Sequence, residues 1–188
     1  MGGPGQRVVV LSSLRAGRFD ADVTFMCGPG PLGYRRGMNE PPRPPRPLFP
    51  SDTTLADLNA MSKGTAMIPL GIEFTELGPD FVRATMPVDA RTKQPHGLLH
   101  GGASVLLAET LGSTAGGLCA QEGKGVVGIE INANHLRGVR EGYVTGTARP
   151  LHVGASTQVW EIRIEDQAGR LVCISRLTLA VVPRPARD

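Results

Sequence analysis

Hydrophobic and polar residues change their spacing several times along the chain, and each change marks an element. From Phe81 to Val88 the apolar positions alternate, with Val82, Ala84, Met86 and Val88 on one side, the two-residue period of a half-buried strand. The run 157–166 behaves alike, setting Trp160, Ile162 and Ile164 against Glu161, Arg163 and Glu165. Further strand-like runs cover Ile68–Leu77, Gly125–His135, Tyr143–Leu151 and Arg170–Val182. Turn residues separate them, among them Gly78-Pro79-Asp80, Gly138, Glu141-Gly142, Gly154 and Gln167-Ala168-Gly169. Pro150 implies a kink or an edge site within its strand. Helical spacing occurs twice. Leu55, Leu58 and Met61 predict a short helix in DTTLADLNAM, capped by Ser51 or Asp52. Residues 100–121 predict a long one, apolar or small nearly all round, which needs cover on most sides. The order helix, two strands, long helix, four strands supplies that cover. It predicts an α+β domain in which a curved six-stranded antiparallel sheet wraps around one central helix.

Composition changes this picture at one end. Residues 1–50 are punctuated by Gly and Pro and include MNEPPRPPRPLFP, which can form polyproline turns but no core. They are expected to be a disordered extension, with a brief strand at 7–11 and with Met38 as the true translation start, ahead of a folded domain at 51–188. Intact mass of the natively expressed protein checks that start. The net charge of +3 is uneven. Of 20 basic and 17 acidic residues, seven Arg and three acids fall in 1–50, leaving 13 against 14 in the remainder. A near-neutral domain without a basic stripe or stacking aromatics gives no support for nucleic-acid binding. Cys27, Cys119 and Cys173 are odd in number and lack zinc spacing, as expected of reduced thiols in a cytoplasmic protein. No segment reads as a signal peptide or membrane span, since Val8–Leu11 is short and the stretch 101–120 carries Glu109.

Glu109 is the sole side chain between Gly101 and Ala120 that is charged at neutral pH. An ionised carboxylate among apolar neighbours responds by raising its pKa or finding donors. At the helix start, His100, Gly101 and Gly102 place N–H groups without internal partners where the macrodipole is positive. Glycines let a substrate oxygen approach those groups, so the motif predicts an oxyanion hole, with Gln94 and His100 as neighbouring donors. The competing reading of Gly101-Gly102 is tight helix–sheet packing, and that of Glu109 a structural buried acid.

Spacing then adds a constraint. Eight residues of helix separate Gly101 from Glu109 by roughly 12 Å along the axis. Both can address one carbonyl only if two such helices run antiparallel past each other, which predicts a two-fold homodimer with composite sites. Ser113, one turn after Glu109 on the same face, is placed to hydrogen-bond the carboxylate or a water.

The segment QPHGLLHGGASVLLAETLGSTAGG resembles the signature of hotdog-fold acyl-CoA thioesterases of the phenylacetate-pathway type. MPVDARTKQP, VVGIEINANHLRGVREG and PLHVGASTQVWEIRI extend the likeness over about Leu55–Val182, and residues 1–50 have no counterpart. Within that family the chain is similar to the 1,4-dihydroxy-2-naphthoyl-CoA hydrolases and the enterobactin-proofreading thioesterases. The resemblance implies the hotdog fold and hydrolysis of an acyl-CoA, aryl or hydroxyaryl in type, to free acid and coenzyme A, without a cofactor. Menaquinone biosynthesis, phenylacetate breakdown and aryl-CoA salvage are all compatible settings. It implies Glu109 as nucleophile or general base, the Gly101 N–H with His100 as oxyanion donors, Gln94 as positioner and Ser113 as helper of the hydrolytic step. His135 and Arg137 would line the coenzyme A channel, with Gly102 and Asn134 beside them. It further implies a tetramer formed as a dimer of dimers. One departure is Ala155, where relatives often carry a basic residue that meets phosphate.

Other residues have plainer readings. Arg91 and Lys93 are turn charges within reach of phosphate or solvent, and His96 and His152 are loop or strand-end residues. Four scattered histidines without paired carboxylates predict no metal site. Two other activities share the fold prediction: a hotdog dehydratase or hydratase, separable by its enoyl product, and a non-enzymatic acyl-CoA-sensing regulator, for which the chain offers no DNA-binding helix pair.

Overall fold

The computed structural model describes residues 47–184 of the 188. The strand expected at 7–11, the start at Met38 and most of the expected 1–50 extension lie outside the described residues. Two short helices lead in, α1 (Leu55–Met61) and α2 (Met67–Leu70), followed by strands β1 (Glu73–Leu77) and β2 (Val82–Pro87). The long helix α3 (Gly101–Leu118) comes next, then β3 (Lys124–His135), β4 (Tyr143–Val153), β5 (Thr157–Asp166) and β6 (Leu171–Pro183). All six strands form one antiparallel sheet in the order β1-β2-β4-β5-β6-β3. The helix packs against β2 to β6, so the expected sheet around a central helix is what forms.

The alternating residues explain the core. Val82, Ala84 and Met86 on β2, Trp160, Ile162 and Ile164 on β5, and Leu177 and Leu179 on β6 are fully buried against Leu107, Ala108, Leu111 and Ala115 of α3. Each such leucine is worth about 2–5 kcal/mol against truncation to alanine. Small residues set how closely the helix lies. A Cβ on Gly112 would come 2.5 Å from Leu177 Cδ2, and one on Gly146 of β4 would come 2.5 Å from Leu111 Cδ1.

Three expectations need correction. The cap of α1 is Thr54, not Ser51 or Asp52: its hydroxyl accepts from the Asp57 N–H at 3.2 Å while the Asp57 carboxylate accepts from the Thr54 N–H at 3.0 Å. Residues 68–70 are helical rather than extended. Gly71 ends that helix with φ 68°, a left-handed conformation cheap only for glycine, and the Ile72 N–H donates back to the Met67 carbonyl at 3.0 Å. Ile68 is left exposed. Third, the folded part begins before Ser51. Phe49 is buried, its ring stacked 6.5 Å from that of Trp160, so the end of the Pro-rich stretch joins the core.

Pro150 sits beyond the last β2 partner of β4, Ala148, and beside an irregularity in the β4–β5 register, so it has both the free side and the kink expected of it. The sheet ends in β1 and β3. On β3, Val127 and Ile129 are exposed. No helix among the described residues is long and apolar enough to cross a membrane.

Candidate active site

The loop between β2 and α3 delivers one half of the candidate site. Thr92 is buried and ties the loop together: its hydroxyl donates to the Pro87 carbonyl at 2.6 Å, and its own carbonyl accepts from the His100 N–H at 2.8 Å. Gln94 closes a tight turn, donating its N–H to the Leu98 carbonyl at 2.8 Å and accepting from Gly97 at 2.9 Å. The Gln94 side-chain oxygen faces the His96 N–H at 3.4 Å, which leaves its amide N–H₂ free to donate. Arg91 is engaged locally. Its guanidinium holds the Asp89 carboxyl down to about 2, with a nitrogen–oxygen separation of 2.6 Å.

At the start of α3, His100 is the N-cap. Its Nδ1 accepts from the Gly102 N–H at 2.8 Å, and its carbonyl accepts from Ala103 and Ser104 at 3.0 and 3.2 Å. This revises two expectations. Gly102 spends its N–H on the cap instead of a substrate, and His100 uses one ring nitrogen as acceptor, leaving only Nε2 to donate. The Gly101 N–H meets no acceptor among the described residues. It is the free donor of the helix terminus.

That donor opens on a cavity of about 340 Å³ whose walls include Gln94, Gly101, Ser104, His135 and Arg137, with Leu98, Leu99, Leu136 and Val172 as the apolar part. The His135 ring lies over the helix start, its Nε2 2.9 Å from where a Cβ on Gly101 would be. Four of the expected residues are thus brought together by the loop, the helix terminus and the end of β3. Asn134 is not among them. It alternates with His135 along β3, is exposed, and belongs with Asn132 and Glu130 on the opposite face, where the Asn132 amide donates to Glu130 at 2.9 Å.

Glu109 and Ser113 stand apart from this cavity, as the helical rise requires. Glu109 is partly buried and meets no cation among the described residues. Burial pushes its carboxyl above the ordinary value, and the Ser113 hydroxyl, 3.5 Å away, acts weakly the other way. The carboxylate reaches over to β3 and occupies the space beside Gly128. Among the described residues no group of three or more His, Cys, Asp or Glu is arranged to hold a metal.

Two features escaped the sequence reading. Ser104, buried and part of the cavity wall, carries no motif of its own. Gly128 did carry a signal, being an isolated glycine within an apolar strand pattern, which marks a bulge or a close approach. The β3–β6 register does shift between Gly128 and Glu130.

A family model described as the thioesterase superfamily matches residues 96–173, a span that runs from the Gln94 turn through α3 to the cavity wall at Val172. The chain belongs to the thioesterase superfamily, has its hotdog fold, and is a thioester hydrolase. It is 58% identical over 129 residues to the 1,4-dihydroxy-2-naphthoyl-CoA hydrolase of Escherichia coli, covering 69% of this chain and 95% of that protein. The proofreading thioesterase EntH of Cronobacter turicensis is also 58% identical over 129 residues, covering 69% of this chain and 94% of its own length. A crystal structure of a thioesterase from Haemophilus influenzae is 52% identical with a TM-score of 0.72, covering 75% of this chain and 99% of that one.

Proposed function

We propose that the protein hydrolyses an aryl- or hydroxyaryl-CoA thioester, 1,4-dihydroxy-2-naphthoyl-CoA being the leading candidate, to the free acid and coenzyme A. The observation that carries the reading is the pairing of a Gly101 N–H at a cavity mouth with a partly buried Glu109 on the same helix, neither meeting a partner of opposite charge or an acceptor among the described residues. The names of the Escherichia coli and Cronobacter relatives support the acyl class. With that acyl group the reaction would belong to menaquinone biosynthesis, in the cytoplasm where coenzyme A thioesters are made and used.

In the proposed reaction the thioester oxygen accepts from the Gly101 N–H, with the Nε2–H of His100 and the Gln94 amide nearby. The Glu109 carboxylate either attacks the carbonyl carbon, giving an anhydride that water opens, or takes a proton from the water that attacks. The C–S bond breaks and coenzyme A leaves as thiolate, a leaving group good enough to need no Ser-His-Asp triad. Ser113 holds the carboxylate or the hydrolytic water. His135 and Arg137 line the path of the coenzyme A arm, with Arg137 toward phosphate.

Gly101 and Glu109 of one helix are too far apart to share a carbonyl, so the reading includes a homodimer whose sites take one group from each protomer. The free edge of β3 favours it. A twelve-residue strand with exposed Val127 and Ile129 offers unpaired backbone groups and apolar side chains that a second copy would cover. Glu109 leans on that same strand. Two such dimers would make the tetramer.

A thiol-trapping assay across dihydroxynaphthoyl-, benzoyl-, phenylacetyl- and medium-chain acyl-CoA tests the substrate class. The hydroxyaryl thioester is expected to exceed the medium-chain one in kcat/KM by about tenfold or more. A medium-chain preference would overturn the acyl assignment.

A further inference from the structure

We propose that Gly128 is a positioning residue for Glu109: the side chain absent from β3 is the space that the carboxylate occupies. This rests on the reading of Glu109 as a catalytic group.

A Cβ built on Gly128 would collide with Glu109 Oε1, and would lie 3.3 Å from its Cδ and 3.7 Å from Oε2. The three nearest atoms all belong to that one carboxyl group. Backbone conformation does not account for the glycine. Gly128 is absent from the glycines with positive φ, unlike Gly71 at 68°. Core packing does not account for it either. At Gly112 and Gly146 an added Cβ would press on leucines of the core, whereas at Gly128 it would press on the far end of a side chain that can rotate away. Alanine at 128 should therefore leave the fold intact and move the carboxylate.

The register shift just beyond adds a reason for the arrangement. Gly128 pairs with Leu179 and Glu130 with Thr178, so Ile129 is an extra residue on β3. A bulge re-aims the neighbouring side chains, and bulges gather next to active sites and on sheet edges. Here it falls on an edge strand, at the point where Glu109 touches it.

Steady-state thiol release from benzoyl-CoA by full-length protein tests the proposal with five forms: wild type, Gly128→Ala, Glu109→Asp, the double variant of these two, and Glu109→Gln. A misplacement of about 1 Å costs on the order of 10²-fold in rate, so Gly128→Ala is expected to lower kcat by about that factor with little change in KM. In the Glu109→Asp background, whose carboxylate ends one methylene sooner, the same alanine is expected to cost no more than about twofold. Wild-type kcat in Gly128→Ala, or the same fold-loss in both backgrounds, would overturn the proposal. Should Gly128→Ala prove insoluble, the double variant is expected to be soluble, and insolubility of both would also overturn it. A fully active Gly128→Ala beside an inactive Glu109→Gln sinks the positioning role alone. An active Glu109→Gln sinks the reading of Glu109 itself.

Discussion

Glu109→Gln is expected to lower thiol release from aryl-CoA substrates by about 10³-fold or more while the fold survives. Glutamine keeps the shape of the side chain and can still meet the Ser113 hydroxyl, and no cation among the described residues loses a partner. What disappears is the negative charge. The same substitution has a stability signature of definite sign. Burial raises the folded-state pKa of Glu109 above its ordinary value of 4.5, so the folded protein binds this proton more tightly than the unfolded chain. At neutral pH the ionised group therefore opposes folding, and glutamine should be neutral or stabilising there. That difference fades as pH falls through the raised pKa and is gone once both states are protonated. Activity follows the opposite demand. The wild type needs the carboxylate ionised, so kcat/KM should fall as pH drops through the raised pKa of the free protein, a limb that residual Glu109→Gln activity should lack. A pH–rate profile and thermal melts at neutral and acid pH check both halves. Near-wild-type turnover by the variant would remove Glu109 from the chemistry.

The second large effect concerns the other end of the helix. Gly101→Val is expected to lower kcat/KM by about 10²- to 10³-fold, because a substrate oxygen shut out from this N–H is as badly served as one facing a missing oxyanion donor. The N–H itself remains, but the new Cβ would lie 2.9 Å from His135 Nε2 and its methyls would stand in the cavity mouth. The helix should persist, because the cap at His100 and the leucines deeper in α3 are untouched. Kinetics with circular dichroism on the same sample separate these outcomes. An unchanged kcat/KM would return Gly101 to a packing role.

How much of this was legible in the chain varied with the physics of each element. The strands at 82–87 and 157–166 were readable because one face is buried and the other only partly covered, so alternation survives in the residue types. The stretch Met67–Leu70 was not, since four apolar residues fit a strand or a helical turn equally. The decisive residue was Gly71, which reads as strand punctuation until its positive φ is known. Phe49 was hidden by its company. Surrounded by prolines, it still supplies an aromatic face that Trp160 needs.

At the site, the separation of Gly101 and Glu109 followed from helical rise alone. The roles of His100 and Gly102 did not, because a histidine before a helix is equally a donor or a cap, and only the 2.8 Å approach of Nδ1 to the Gly102 N–H decides it. Asn134 and His135 differ by one position and hence by a whole face of the sheet. Gly128 needed the tertiary structure, since its partner lies on another element.

Mixed assemblies of Glu109→Gln and Gly101→Val protomers test the composite site most directly. Co-expressed under two affinity tags and isolated through both, each mixed dimer pairs an intact Glu109 with an intact Gly101 at one of its two sites. Activity should return to between about a quarter and a half of the wild type, the lower figure where a doubly tagged tetramer also holds dimers of like protomers, although each parent alone is nearly inactive. Mixed dimers no more active than the average of their parents would contradict a site built from two protomers.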